Sequence, residues 1–287
     1  MIMSTVVQAP TRSKKRVIHL LVEQKQAIIQ RAVTRGLDQN VRFKATGVDW
    51  LGEVPEHWTV MPLKRCLASM EYGISDPGTD AGRVKVVGMG NIRDGKVTVP
   101  SKGGVDTVDP RLLLRAGDLL FNRTNSADLV GKVGLFSGSA FETTFASYLV
   151  RLRTGCDANA EFLNYLLNSP SVLRPARQLA IPSLHQSNLN SSRYGRIQIA
   201  LPPLAEQQNI ATQLHSELAG IESSIENVRR EIDLIREYWE RLVADVVTGK
   251  LDVRAARLRD TETPTEPEAL IGEDQIEDDE LVGLEEG

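Results

Sequence analysis

The sequence predicts an α+β fold: a mixed α/β domain of short strands joined to long coiled-coil helices. Three observations carry this expectation. A heptad stripe of apolar residues runs through the C-terminal third, a partial copy of it opens the chain, and residues 41–202 alternate short β-rich runs with turn formers.

The long helix is the clearest element. Its apolar positions run Leu214, Leu218, Ile221, Ile225, Val228, Ile232, Ile235, Trp239, Leu242 and Val246, with spacings that alternate between 4 and 3. That is a heptad seam, and Glu222, Arg229, Glu231 and Arg236 fall outside it. Pro202 and Pro203 sit where a helix start tolerates proline, Glu206 suits the positive end of the dipole, and Gly249 supplies a stop. A helix over 203–250 with one apolar stripe needs a partner helix to cover it.

The N-terminus offers that partner. Shifted by 214 positions, Ile18, Leu21 and Ile28 fall on Ile232, Ile235 and Leu242, and Ala32-Val-Thr-Arg-Gly-Leu-Asp38 echoes Val246-Val-Thr-Gly-Lys-Leu-Asp252. The repeat predicts a shortened helix over 16–40, preceded by a flexible 1–15, with Ile18, Leu21 and Ile28 facing the long helix.

Between the helices, turn formers at Asp76-Pro-Gly78, Arg93-Asp-Gly95, Lys102-Gly-Gly104, Ala116-Gly-Asp118 and Ser137-Gly-Ser139 divide the chain. They leave strands expected at 84–87, 97–99, 118–121, 132–136 and 146–152. A helix is expected over 158–168, with Phe162, Leu163, Leu166 and Leu167 on one face and Pro170 as its stop. Residues 251–287 lack periodicity and read as an acidic, disordered tail.

The net charge of −4 conceals an asymmetry. Twelve of the 38 acidic residues lie in 260–287, where there is no Lys or Arg, so residues 1–259 set 34 basic side chains against 26 acidic ones, a balance of +8. A basic body with an acidic tail suits nucleic-acid binding; a solvated tail on an indifferent body gives the same numbers. No apolar run approaches the ~20 residues of a membrane span, and no signal-peptide layout opens the chain. Cys66 and Cys156 have neither metal nor disulfide spacing, so a cytoplasmic protein without structural metal is expected.

Catalytic motifs are missing. Gly131-Lys132 lacks the upstream glycine of a phosphate-binding loop, Gly88-Met-Gly90 continues with Asn-Ile-Arg, and Pro202-Pro203 is flanked by Leu on both sides. Asp76, Asp94 and Lys96 loosely fit a Mg²⁺ nuclease pattern, but Arg93-Asp-Gly-Lys96 is also an ordinary hairpin turn.

Taken together, these segments resemble the specificity subunits of type I restriction–modification systems. Leu201-Pro-Pro-Leu-Ala-Glu-Gln207 is similar to the entry of that family's long helix, and residues 244–254 to its exit. Residues 23–38 with Gly47-Val-Asp-Trp-Leu-Gly-Glu-Val-Pro-Glu-His-Trp58 resemble the central region and the start of a second target-recognition domain. Gly117-Asp-Leu-Leu-Phe-Asn-Arg123, Gly131-Lys-Val-Gly134 and Leu166-Leu-Asn-Ser-Pro170 fit the pattern inside that domain. The resemblance spans about 15–255, but shows one recognition domain where family members usually have two, and so looks like a half form.

The resemblance implies long antiparallel coiled-coil helices beside a target-recognition domain over 41–202. It implies a non-catalytic subunit that reads half of a bipartite site in double-stranded DNA and docks methyltransferase subunits, with a restriction/translocase subunit engaged indirectly. No cofactor is expected in this chain; S-adenosylmethionine belongs to the methyltransferase. A single domain could act as a head-to-tail homodimer or beside a complementing half. A coiled-coil interaction scaffold is the competing reading, and the nuclease a third.

Base reading needs bidentate Arg, Asn or Gln on rigid turns. Asn122, Arg123, Asn125 and Ser126 form the first candidate loop after an expected strand. Gln186, Ser187, Asn188, Asn190 and Arg193 form a second polar stretch, where Ile181-Pro182 replaces the usual glycines of the family. Asn91 and Arg93, on the 88–95 hairpin, are a third, and the 72–75 loop carries a ring able to stack, Tyr72.

Overall fold

The computed structural model describes residues 2–251 apart from 39, 77, 80, 184 and 185. The tail expected over 251–287 therefore lies, from 252 on, outside the described residues. The chain divides into two compact units, Met1–Ile235 and Arg236–Gly287. The first opens with α1 (Ile2–Arg35), followed by β1 (Phe43–Ala45), β2 (Glu53–Pro55), β3 (Thr59–Pro62) and β4 (Leu67–Tyr72). Next come β5 (Val84–Val87), β6 (Ile92–Arg93), β7 (Lys96–Val97), β8 (Gly104–Val105), β9 (Leu119–Asn122) and β10 (Thr124–Asn125). Then follow β11 (Val133–Leu135), β12 (Thr143–Phe145), β13 (Leu149–Thr154), α2 (Ala160–Asn168) and α3 (Pro170–Gln178). The chain continues with β14 (Ile181–Ser183), β15 (Gln186–Asn188), α4 (Ser191–Tyr194), β16 (Gln198–Leu201) and α5 (Leu204–Val247).

The central sheet has the order β4-β13-β9-β11-β7-β6, antiparallel except where β11 meets β7. Both faces of its middle are covered, which is why β9 is buried at every position rather than alternating. Leu119, Phe121, Val150 and Leu152 join Phe162, Leu163, Leu166 and Leu167 of α2 and Ile210, Leu214 and Leu218 of α5 in the main core. Leu120 and Leu149, one residue out of phase, join Val87, Phe136 and Phe145 in a second core. The smaller sheets are β12-β5-β8, β10-β15-β14, β16-β3 and β1-β2.

Two expectations about helices change. A flexible 1–15 and a helix over 16–40 were expected, but α1 runs from Ile2 to Arg35. Residues 11–15 contain no stop signal, and Lys14 pairs with Glu231 of α5, so the helix has a partner before the repeated segment begins. Pro10 lies inside α1 without ending it. Gly36, at φ +73°, terminates the helix, and a Cβ there would sit 3.2 Å from Glu206 Oε1. The second change concerns Pro170, expected to end a helix. It does follow α2, yet it occupies the first position of α3, where its missing N–H costs no bond.

Lys25 binds Glu222 at 2.7 Å; with Lys14–Glu231 this pairs rising numbers on α1 with falling ones on α5, an antiparallel arrangement. Of the seam, Leu214, Leu218, Ile225 and Ile232 are buried, and Ile221, Val228 and Ile235 are half-buried. Ile18, Leu21 and Ile28 of α1 are half-buried, whereas Val17 and Leu20 are exposed. In the second unit Gly249, at φ +72°, closes α5, and the Leu251 amide donates to Asp245 O at 3.0 Å.

Glu222 also meets Lys96 of β7 at 3.5 Å, and its carboxyl lies below the ordinary value of 4.5, chiefly because Lys25 donates to it. A carboxylate with a lowered folded pKa stabilises above its ordinary pKa, and that contribution is lost as pH falls through the lowered value. Glu222→Gln is expected to cost about 0.2–1 kcal/mol at neutral pH in low salt, because the pair is partly exposed. Urea unfolding should show the difference vanishing in acid; a difference that persists there would remove the ion pair as its cause.

Candidate nucleic-acid interface

The stretch after β9 was expected as an open loop, but most of it is paired. Thr124 and Asn125 lie opposite Asn188 and Ser187, and β15 in turn pairs with β14. The Arg123 amide donates to Tyr148 O at 3.1 Å, and Arg123 O accepts from the Leu189 amide at 2.7 Å. Fully buried Leu189 anchors the return strand in the main core. Pairing satisfies backbone groups that a buried loop would leave unmet, and so joins segments more than sixty residues apart in the sequence.

The first two candidate groups therefore meet on one surface. The Arg123 guanidinium lies 5.1 Å from the centre of the Tyr72 ring, donates to Ser147 O at 3.3 Å and to Asn188 Oδ1 at 3.2 Å. Tyr72 Oη shares a 2.7 Å hydrogen bond with Ser191 Oγ. Asn190 caps α4 by accepting from the Ser192 amide at 2.8 Å, and Asn125 accepts from the Ser126 amide at 2.8 Å. Gln186, Asn190, Arg193 and Ser126 are exposed, as are Tyr72 (41%), Tyr148 (48%) and Ile181 (54%).

Some candidates are placed differently. Asn122 is only 3% exposed and Ser187 8%, so neither presents its side chain on this surface. Asn122 Oδ1 and Arg123 Nε are buried without a hydrogen-bond partner among the described residues. The third group stands apart. Asn91 Oδ1 accepts from the Gly88 amide at 2.9 Å, and exposed Arg93 donates from Nε to Gly90 O at 3.3 Å. β11 and β7 lie between β6 and β9, which puts Arg93 about 14 Å across the sheet. Lys96 aligns with Leu135, and Leu135 with Leu119, so this hairpin joins the opposite end of β9 from Arg123.

Asp94 (φ +49°) and Gly95 (φ +75°) form the β6–β7 turn, with the two left-handed residues of a type I′ hairpin. Lys96 turns to Glu222, and Asp76 Oδ1 accepts from the Gly78 amide at 2.8 Å. Among the described residues, no group of three or more His, Cys, Asp or Glu is arranged to hold a metal ion, and no helix is long and apolar enough to cross a membrane.

Two buried networks support the surface. Behind β9, Phe121 stacks on Tyr194 at 4.3 Å, and burial pushes the Tyr194 phenol pKa up. On the other face of the sheet, Arg151 donates to Leu113 O and Arg111 O and pairs with Glu71. Asp118 takes both ends of the Arg153 guanidinium at 2.7 Å. The exposed Tyr148 was not among the sequence candidates: it fell inside an expected strand, and only the start of β13 at Leu149 leaves it outside.

No family model matches the chain. The type I restriction enzyme MjaVIII specificity subunit of Methanocaldococcus jannaschii is 25% identical over 246 residues, covering 83% of this chain and 56% of that protein. The EcoKI specificity subunit of Escherichia coli strain K12 is 24% identical over 217 residues, covering 70% of this chain and 45% of that protein. A chain from a structural study of complex assembly and conformational transition in the type I R-M system superposes with a TM-score of 0.56 at 18% identity. That match covers 86% of this chain and 58% of the other. The chain thus spans about half the length of the curated relatives it matches. It is similar in sequence, at 24–26% identity, to specificity subunits of type I restriction enzymes, and it shares its fold with the solved chain.

Proposed function

We propose that this chain reads one half of a bipartite site in double-stranded DNA, as a single-domain specificity subunit. The observation that carries the reading is the convergence of Tyr72, Arg123, Asn188 and Ser191 beside exposed Gln186, Asn190 and Arg193, on a fold shared with the type I system. Donors on paired strands and a capped helix are held rigidly enough to read base edges. Asn125 and Ser126 continue that edge, while Asn91 and Arg93, on the β6–β7 side of the sheet, stand apart from it.

In this reading the chain is not itself catalytic. The antiparallel α1–α5 pair is the docking element for methyltransferase subunits, which bring S-adenosylmethionine, and through them for the restriction/translocase subunit. The second half of the site is read by a head-to-tail copy or by a complementing half. The test is co-expression with a methyltransferase subunit, followed by mapping of methylated adenines and cytosines. Methylation at one defined sequence supports the reading, and its absence with an active partner overturns it. DNA affinity is also expected to fall on the order of 100-fold between about 50 and about 200 mM salt, the response of about four neutralised phosphates. A flat response would count against DNA binding.

A further inference from the structure

Sequence reasoning treats Arg123 as a direct base reader. The structure commits its guanidinium elsewhere. One Nη donates to Ser147 O before β13, the other to Asn188 Oδ1 on β15, and Cζ lies over the ring of Tyr72 at the end of β4. Its backbone is equally engaged, since its N–H reaches Tyr148 O and its carbonyl receives the Leu189 amide. Tyr72 extends the link to Ser191 at the start of α4. One side chain therefore ties β4, the approach to β13 and β15 together.

We infer that Arg123 is a positioning residue: it clamps three segments into one surface, and neighbouring exposed side chains, Gln186, Arg193 and Tyr148 foremost, make the base contacts. A guanidinium used this way suits the task, because its donors have fixed directions and its face stacks on an aromatic ring. Removing it takes a side-chain tie from β15, a three-residue strand that pairs with β10 over two residue pairs and with β14 over three. The inference rests on the DNA-reading proposal for its consequence, but not for the clamp itself.

The test uses the full chain and the variants Arg123→Ala, Asn188→Ala and the double variant. Without DNA, amide hydrogen exchange at 186–190 is expected to quicken about tenfold or more in each single variant, while α2 and α5 keep their protection. With a pool of randomised duplexes, base preference should weaken at two or more positions together, and the double variant should be no worse than either single one. Retained protection of α2 and α5 beside quickened exchange at 186–190 is a split that general unfolding would not produce. Unchanged exchange at 186–190 would overturn the clamp. So would Arg123→Ala losing preference at one base pair only, with Asn188→Ala adding an independent loss. Should the unaltered chain show no base preference, the DNA-reading proposal fails, and the exchange result still decides the clamp.

Discussion

Gln207→Leu is expected to destabilise the first unit by about 3–6 kcal/mol, the largest effect of any single exchange considered. Gln207 is fully buried at the start of α5. Its Oε1 accepts from the Asn159 amide at 2.8 Å, and its Nε2 donates to Asp157 O at 2.9 Å and Pro202 O at 2.8 Å. Leucine fills a similar volume but leaves the carbonyl of buried Pro202, the amide of half-buried Asn159 and the carbonyl of exposed Asp157 without this partner, at about 1–3 kcal/mol for each that water cannot reach. The neighbouring Glu206 accepts from Trp58 Nε1 at 3.0 Å and binds His57 Nε2 at 2.7 Å, so the exchange loosens the place where α5 meets the strand domain. Urea denaturation measures it. A loss below about 1 kcal/mol would show that the amide does not anchor α5.

Arg151→Met comes next, at about 3–5 kcal/mol. Arg151 is completely buried, donates to Leu113 O at 2.9 Å and Arg111 O at 2.8 Å, pairs with Glu71, and lies 3.9 Å from Asp118. Removing Arg151 leaves the Leu113 and Arg111 carbonyls without their donor and Glu71, itself 37% exposed, without its partner, whereas replacing a pair by apolar residues can be nearly neutral. Arg151→Met combined with Glu71→Leu should therefore recover part of the loss. Asp118 keeps Arg153 in either case. Thermal unfolding of the single and double variants distinguishes this from simple packing loss; a double variant worse than the single one would contradict it.

How much of this was legible in the sequence varied by element. The seam from Leu214 to Val246 could be read because its pattern is local and its period unambiguous. The strand at 84–87 matches β5, and the other four expected strands overlap observed ones with shifted ends. Strands such as β10, β14 and β15, two or three residues long, are too short to show an alternating pattern, so β10 and β15 in particular depend on partners far away in the chain. The helix expected over 158–168 does stop before Pro170, but α3, which starts at Pro170, was not legible, because proline suits both the residue after one helix and the first residue of another. Among the candidate site residues, polarity selected Asn122 together with Arg123, but residue type cannot show which of two neighbours a strand turns inward.

The sequence by itself determined the long seam, the partial repeat, the basic body ahead of an acidic C-terminus and the resemblance carried by its helix-flanking motifs. All of these reside in residue order and period. Only the tertiary structure decided that residues 122–126 and 186–193 share one surface, that Asn91 and Arg93 lie elsewhere, and that Arg123 is bound to Tyr72, Ser147 and Asn188. The reason is physical. Strand pairing and side-chain hydrogen bonds bring together segments separated by dozens of residues, and such contacts depend on how the core packs, not on any local pattern.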